Sequence, residues 1–412
     1  MEILSRLLYR AESNGDIKGI QISRGGPQIT HLMFADDLLI LAKASPANII
    51  AIKDILDKFC QWSGQEINSS KSGLFFSKNT TVDSRRSAKS ILGIRKLKEN
   101  ARYLGNPMFI KRKRKESFQF LIDKIKNRLA AWKTKALSWA RRATLIRSVI
   151  NSTPIYTMSL FRLPKSTLNT IDKVTRRFWW GSTKEEGNFY APRNWGAICQ
   201  PKAKGGLGFR RAEDSNKAML SKTAWALTKG NGSLAGRAFK AKYGNFLNSP
   251  NCPSASPIWK GLQWCKDTIQ ASTCFSIGNG SSTSAWLDPW IPGTVNFKPT
   301  PRVDVFQDPA LKVRDLMLFN PKRWNIPLIS SLFEHDSVHN ILKIHLSQTD
   351  FEDSAKWTPN SSGKHSIKSF YLTDQQHRFH DHSEISWKAI WNLKIHERFK
   401  LHLWRIGSES LP

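Results

Sequence analysis

Apolar residues recur at helical spacing over residues 1–12, at Ile3, Leu4, Leu7 and Leu8, and predict the end of an amphipathic helix. "SNGD" then marks a turn and "IKGIQIS" a short strand. "ITHLMF" and "LLILAK" follow as two apolar runs around Ala-Asp-Asp, which predicts a buried hairpin with Asp36 and Asp37 at its tip. Helical spacing returns from Pro46 to Trp62, through Ile49, Ile52, Ile55, Leu56 and Phe59. After "GQEINSSKS" the run "GLFFS" reads as another short strand. Phe118, Leu121, Ile125, Leu129 and Trp132 then stripe one face of a helix, with Lys124 and Arg128 off the stripe. Further helices are expected at about 141–152, at 166–180 with Ser166 as N-cap, and at 212–229.

Beyond residue 250 the pattern changes. Trp259, Trp264, Trp286 and Trp290 flank "FSIGNGSSTSAW", where Asn279-Gly280 predicts a two-residue hairpin turn. "VRDLM" and "ISSLFEHDSVHNILKI" read as short helices, and residues 386–412 as an aromatic-rich helical segment. A stretch rich in Asn, Ser and Pro near 244–257 is the best candidate domain boundary. The fold class expected from this pattern is α+β, with few strands.

Composition narrows the function. The 412 residues leave room for two or three domains. A hydrophobic fraction of 40%, with 16 Trp and 22 Phe, excludes a disordered chain. Lys and Arg number 64 against 32 Asp and Glu, a net charge of +32, concentrated over residues 111–177. Such a chain is expected to bind a polyanion, nucleic acid being the commonest; a basic membrane-surface or ribosome-like protein is the alternative. No apolar run reaches the roughly eighteen residues that span a membrane. The first residues carry Glu2, Arg6 and Arg10 and do not form a secretory leader, so an intracellular protein of nucleus or cytoplasm is expected. Cys60, Cys199, Cys252, Cys265 and Cys274 are scattered with no CxxC pair, as in a reducing compartment without a cysteine-built zinc site.

Adjacent carboxylates at a tight turn repel each other, and apolar flanks lower the dielectric around them. A divalent cation relieves that repulsion, and Mg²⁺ takes one or two carboxylates together with substrate phosphates. A solvated polar turn explains two Asp residues equally simply. On these ten residues both readings stand.

The neighbouring segments resemble a known family. "LSRLLYRAESNGDIKGIQISRGGPQITHLMFADDLLILAKAS", "INSSKSGLFFSKN" and "YLGNPM" are similar, in order, to palm segments of the reverse transcriptase of plant non-LTR (LINE-type) retrotransposons. "PRNWGAICQPKAKGGLGFR", "SIGNGSSTSAWLDPW" and "WKAIWNLKIHERFKLHLWRIGSESLP" resemble that family's C-terminal region and the start of its zinc-binding module. The resemblance implies four regions. These are the C-terminal part of a polymerase palm (1–110), a basic helical thumb and connector (111–245), a Trp-rich region with short strands (246–356) and the start of a zinc-binding module (357–412).

It also implies roles. Asp36 matches a metal ligand and Asp37 a weaker ligand or support, with Mg²⁺ as cofactor. Lys71, after Asn68, matches a cation that stabilises the pyrophosphate leaving group. Tyr103, Leu104 and Gly105 match a primer-positioning block. Lys111, Arg112, Lys113, Arg114 and Lys115, with Arg141 and Arg142, would contact phosphates without reading bases. A face neutralising about six phosphates would give log K against log salt a slope of roughly −5. RNA template and DNA primer or target are the implied partners.

The chain departs from the family at both ends, as if truncated. Only 35 residues precede Asp36, and none of Glu2, Glu12 or Asp16 matches the family's upstream catalytic carboxylate. His396 and His402 have no cysteine partners nearby, so no zinc is expected. The expected function is that of a reverse-transcriptase fragment that does not polymerise by itself but binds nucleic acid. The alternatives are a non-catalytic nucleic-acid-binding protein derived from the element, and a metal-dependent nuclease using Asp36 and Asp37.

Overall fold

A computed structural model describes residues 1–132, 137–181, 187–230, 232–379 and 385–411. The described residues form an α+β fold, about 48% helical with few short strands. Two compact units divide it: residues 1–113 with 232–244, and residues 114–231 with 245–412. The first break falls inside the cation run, between Lys113 and Arg114.

In the first unit, α1 (Glu2–Asn14) buries Leu4, Leu8 and Ala11 and stops at Gly15, whose φ of 82° suits only glycine without strain. The strand expected over "IKGIQIS" shrinks to β1 (Ile20–Gln21), paired antiparallel with β2 (Gln28–Ile29). Next come β3 (His31–Phe34) and β4 (Asp37–Ile40), the expected hairpin, in the register His31 to Ile40 through Phe34 to Asp37. Only one of its faces is packed. Met33, Leu38 and Ile40 pack against Leu4, Leu8 and Ile17 and against Ile52, Leu56 and Phe59 of α2 (Pro46–Ser63). Leu32 and Phe34, on the other face, are exposed, so the expectation of a buried hairpin holds for half its side chains.

Helix α3 (Val82–Leu92) is capped by Thr81, which accepts from the Ser84 N–H. β5 (Arg102–Tyr103) and β6 (Asn106–Pro107) make a second small hairpin. The strand expected at "GLFFS" reduces to one parallel bridge between Leu74 and Lys96, because its apolar residues have no neighbouring strand to extend. A helix at Leu234–Tyr243 completes this unit.

The second unit carries the larger core. Its first helix, α4 (Arg114–Ala130), buries Phe118, Leu121, Ile122 and Ile125. α5 (Trp139–Leu145) runs on as a π-helical turn over Ile146–Ile150. α6 (Ile155–Leu160), α7 (Lys165–Trp180), α8 (Trp195–Ile198) and α9 (Ala212–Thr228) follow. α7 starts after Pro164, so Ser166 lies in its first turn and does not cap it. Asn216 of α9 is fully buried; it accepts from the Leu163 N–H and donates to the carbonyls of Met158 and Phe161, tying α9 to the chain between α6 and α7.

In the Trp-rich part, β7 (Thr273–Ser276), β8 (Met317–Leu318), β9 (Arg323–Trp324) and β10 (Ser354–Trp357) pair as β7 with β10 and β8 with β9. Asn279-Gly280 is therefore not a hairpin turn. The loop wraps the Asp353 carboxylate instead: Oδ1 accepts from the Gly278 and Gly280 N–H groups at 2.8 and 2.9 Å, and Oδ2 from the N–H and hydroxyl groups of Ser282 and Thr283. Burial alone would raise this carboxyl; the hydrogen bonds outweigh it and hold it below the usual range. A cluster of Trp286, Trp290, Trp324, Phe333 and surrounding aliphatics fills the interior around this loop.

Candidate nucleic-acid interface

The carboxylate hairpin closes in two residues. Ala35 takes φ 52°, the position at which such a turn usually places glycine, and Asp36 follows it. Asp37 opens β4 opposite Phe34. Cross-strand partners share a face, so Asp37 lies with Phe34, Leu32 and Leu39 on the face away from the core. Both carboxylates are exposed.

The base of the hairpin is fixed by a buried polar chain. His31 Nε2 is 2.9 Å from the Ser5 hydroxyl of α1, and Nδ1 is 3.1 Å from the Thr30 hydroxyl, which donates to Glu12 at 3.0 Å. The Tyr9 ring meets the imidazole edge-on at 4.7 Å. Burial lowers the His31 pKa, and the Glu12 charge opposes that shift without cancelling it. The tip is thus bare while its root is locked to α1.

Mg²⁺ asks a protein for one or two carboxylates when phosphate oxygens and water complete its shell, and Asp36 and Asp37 are two exposed carboxylates of the kind it takes. They do not amount to a protein-only site. Among the described residues no group of three His, Cys, Asp or Glu is placed to hold a metal ion.

Lys71 is exposed on a turn whose shape comes from Asn68: the Asn68 side-chain oxygen accepts from the Lys71 N–H and the Ser70 hydroxyl. Leu104 and Gly105, at φ 49° and 77°, form the two-residue loop between β5 and β6. A Cβ on Gly105 would meet no atom of this chain within 4 Å, and the positive φ of the turn is what favours glycine here. The Asp36, Lys71 and Gly105 turns are three separate loops of the first unit.

The cations divide. Lys111, Arg112 and Lys113 are exposed on the first unit, and Lys115 and Arg141 on the second. Arg114 is half-buried and its guanidinium donates to the Arg162 carbonyl at 3.4 Å. Arg142 turns inward. It stacks 4.9 Å over the Trp139 ring and donates to the Trp179 carbonyl at the end of α7, and burial and the nearby Arg405 charge lower its pKa. Adjacent residues on a helix point about 100° apart, so the Arg-Arg pair sends one side chain out and one in. His396 accepts the Arg398 N–H at the start of the Glu397–Gly407 helix, a capping role. Among the described residues no helix is long and apolar enough to cross a membrane.

Comparison with known proteins adds a direction. No family model matches the chain. It is similar to a putative ribonuclease H protein of Arabidopsis thaliana, with 29% identity over 321 residues, 74% of this chain and 50% of that protein. An uncharacterized mitochondrial protein of the same plant is 29% identical over 34% of this chain and 92% of its own length. Another shares 50% identity over 36 residues, 9% of this chain and 30% of its own. The chain thus spans about half the length of the first of these relatives.

Proposed function

We propose that this chain is part of a retroelement reverse transcriptase of the LINE type. In this reading it binds nucleic acid through exposed cations and carries one side of a nucleotidyl-transfer site on its carboxylate hairpin. The observation that carries the reading is the Ala35–Asp36 loop, which sets two carboxylates bare at the tip of a hairpin rooted in α1. A net charge of +32 and the likeness to a protein named as a ribonuclease H support a nucleic-acid substrate.

Asp36 and Asp37 hold the metal side of the site. Bound Mg²⁺ would supply charge neutralisation on the incoming triphosphate and lower the pKa of the primer 3′-hydroxyl. Lys71 offers an ammonium to the leaving pyrophosphate, and the Leu104–Gly105 turn beside Tyr103 places a primer terminus. Lys111, Arg112, Lys113, Lys115 and Arg141 hold backbone phosphates, which gives affinity without sequence preference. In-line attack needs both reactants fixed, and the described residues bring no third metal-ligating side chain to Asp36 and Asp37. In this reading the chain by itself binds and does not extend.

Primer extension on an RNA template with Mg²⁺, run beside a binding assay, tests this. Salt-dependent binding without extension is expected; extension that vanishes in Asp36→Ala would overturn the binding-only conclusion. Binding that ignores salt would overturn the nucleic-acid reading. Calorimetric Mg²⁺ titration of the nucleic-acid complex separates the metal-holding hairpin from a non-catalytic binding protein: Asp36→Ala removes the Mg²⁺ heat in the first case only.

A further inference from the structure

We infer a second phosphate-binding patch on the first unit, made by the Ser23–Gly26 turn between β1 and β2 and the Leu234–Tyr243 helix; it rests on the nucleic-acid reading above. The fold joins these segments from opposite halves of the sequence. Gly26 is buried, and a Cβ built there would lie 3.4 Å from the Ala241 Cβ. The turn is shaped for this meeting: the Gly26 N–H donates to the Ser23 carbonyl, Gln21 Nε2 donates to the Gly26 carbonyl, and Gly25 takes φ 73°.

Four cations lie on the two segments that meet here. Arg24 stands on the turn, Arg237 lies one turn before Ala241 on the same helix face, Lys240 follows Arg237 by three residues, and Lys242 sits at the helix end, 5.5 Å from the Tyr243 ring. All four are exposed. Neither residues 17–35 nor residues 232–244 contain an Asp or Glu. Among the described residues none of the four makes an ion pair.

A helix C-terminus favours cations in its last turn, which accounts for Lys240 and Lys242. It does not account for Arg237 a turn earlier, nor for Arg24 across the contact. Like charges assembled from two segments without an acid repel, and a polyanion relieves that repulsion. Such a patch reads the phosphate backbone and not the bases.

The test is the salt dependence of binding of the full chain to a labelled RNA–DNA hybrid duplex. Charge reversal at Arg237→Glu, Lys240→Glu and Lys242→Glu together should weaken binding for unrelated sequences alike and make the slope of log K against log salt less negative by roughly 2 to 3. The neutral set Arg237→Gln, Lys240→Gln and Lys242→Gln, milder for folding, should move both in the same direction by less. Unchanged affinity and slope in both sets would overturn the patch. If reversal of Lys111, Arg112 and Lys113 removes the slope meanwhile, the nucleic-acid reading survives without it. If the unsubstituted chain shows no salt-dependent binding at all, both fall.

Discussion

Each unit has its own kind of core. The first has a core of aliphatics and one Phe, and it leaves Ile3, Tyr9, Ile20, Ile22 and Phe34 exposed. The second buries whole indoles, with Trp179, Trp259, Trp290, Trp357 and Trp404 under 2% exposed. It also takes polar groups inside, among them Asn216, Asp214 with Arg378 at 2.7 Å, and Lys217 with Asp374. Charge in the second unit is used in part for architecture, as Arg142 shows; charge at the hairpin and cation turns of the first unit faces water. On the proposed function, stability and binding chemistry fall to different residues, and substitutions should separate them.

The largest effect is expected in the second unit. Trp404 is 1% exposed and its indole N–H donates to the Gly205 carbonyl at 2.8 Å. Trp404→Ala should cost about 3–5 kcal/mol in denaturant unfolding, since it opens a cavity and unpairs a carbonyl.

A smaller and pH-dependent change should follow from Asp172. Burial pushes its carboxyl up to about 6, although it accepts the Ala212 N–H at 3.0 Å. The folded state therefore holds a proton that the unfolded state releases, so this group's contribution falls as pH rises from about 4 to about 6. Asp172→Asn should leave stability nearly unchanged below pH 4 and raise it above pH 6, by at most about 3 kcal/mol. Denaturation midpoints across that range measure it, and a flat difference would contradict the burial argument.

The smallest stability effect is expected at the hairpin tip. Asp36→Ala removes an exposed side chain and should shift unfolding by no more than about 0.5 kcal/mol. A large loss there would mean that the hairpin tip carries stability as well as exposed charge.

Much of this division was legible before folding. The 3.6-residue spacing located α2, α4 and α7, because each buries an apolar face against the core of its own unit, whereas α9 is buried on most of its sides. The Asp-Asp turn was legible because two apolar runs left only one place for it. Contacts distant in sequence were not. Asn279-Gly280 carries the signal of a hairpin, yet its loop closes on Asp353, 75 residues beyond Gly278. Nothing local in residues 232–244 announces that they return to the first unit. The pair Arg141 and Arg142 reads as one basic feature, and helix geometry divides it.

The Asp353 loop also bears on the order of events during synthesis. Gly278, Gly280, Ser282 and Thr283 leave the ribosome long before the carboxylate that satisfies their N–H groups. The same is true of β7 and its partner β10. Until residue 353 emerges, that segment is an unpaired strand followed by an unfilled ring of donors. Domains form as their chain becomes available, and non-local pairings form slowly. The Trp-rich part should therefore be the late-maturing portion of a nascent chain, and the period before Asp353 arrives its most aggregation-prone interval.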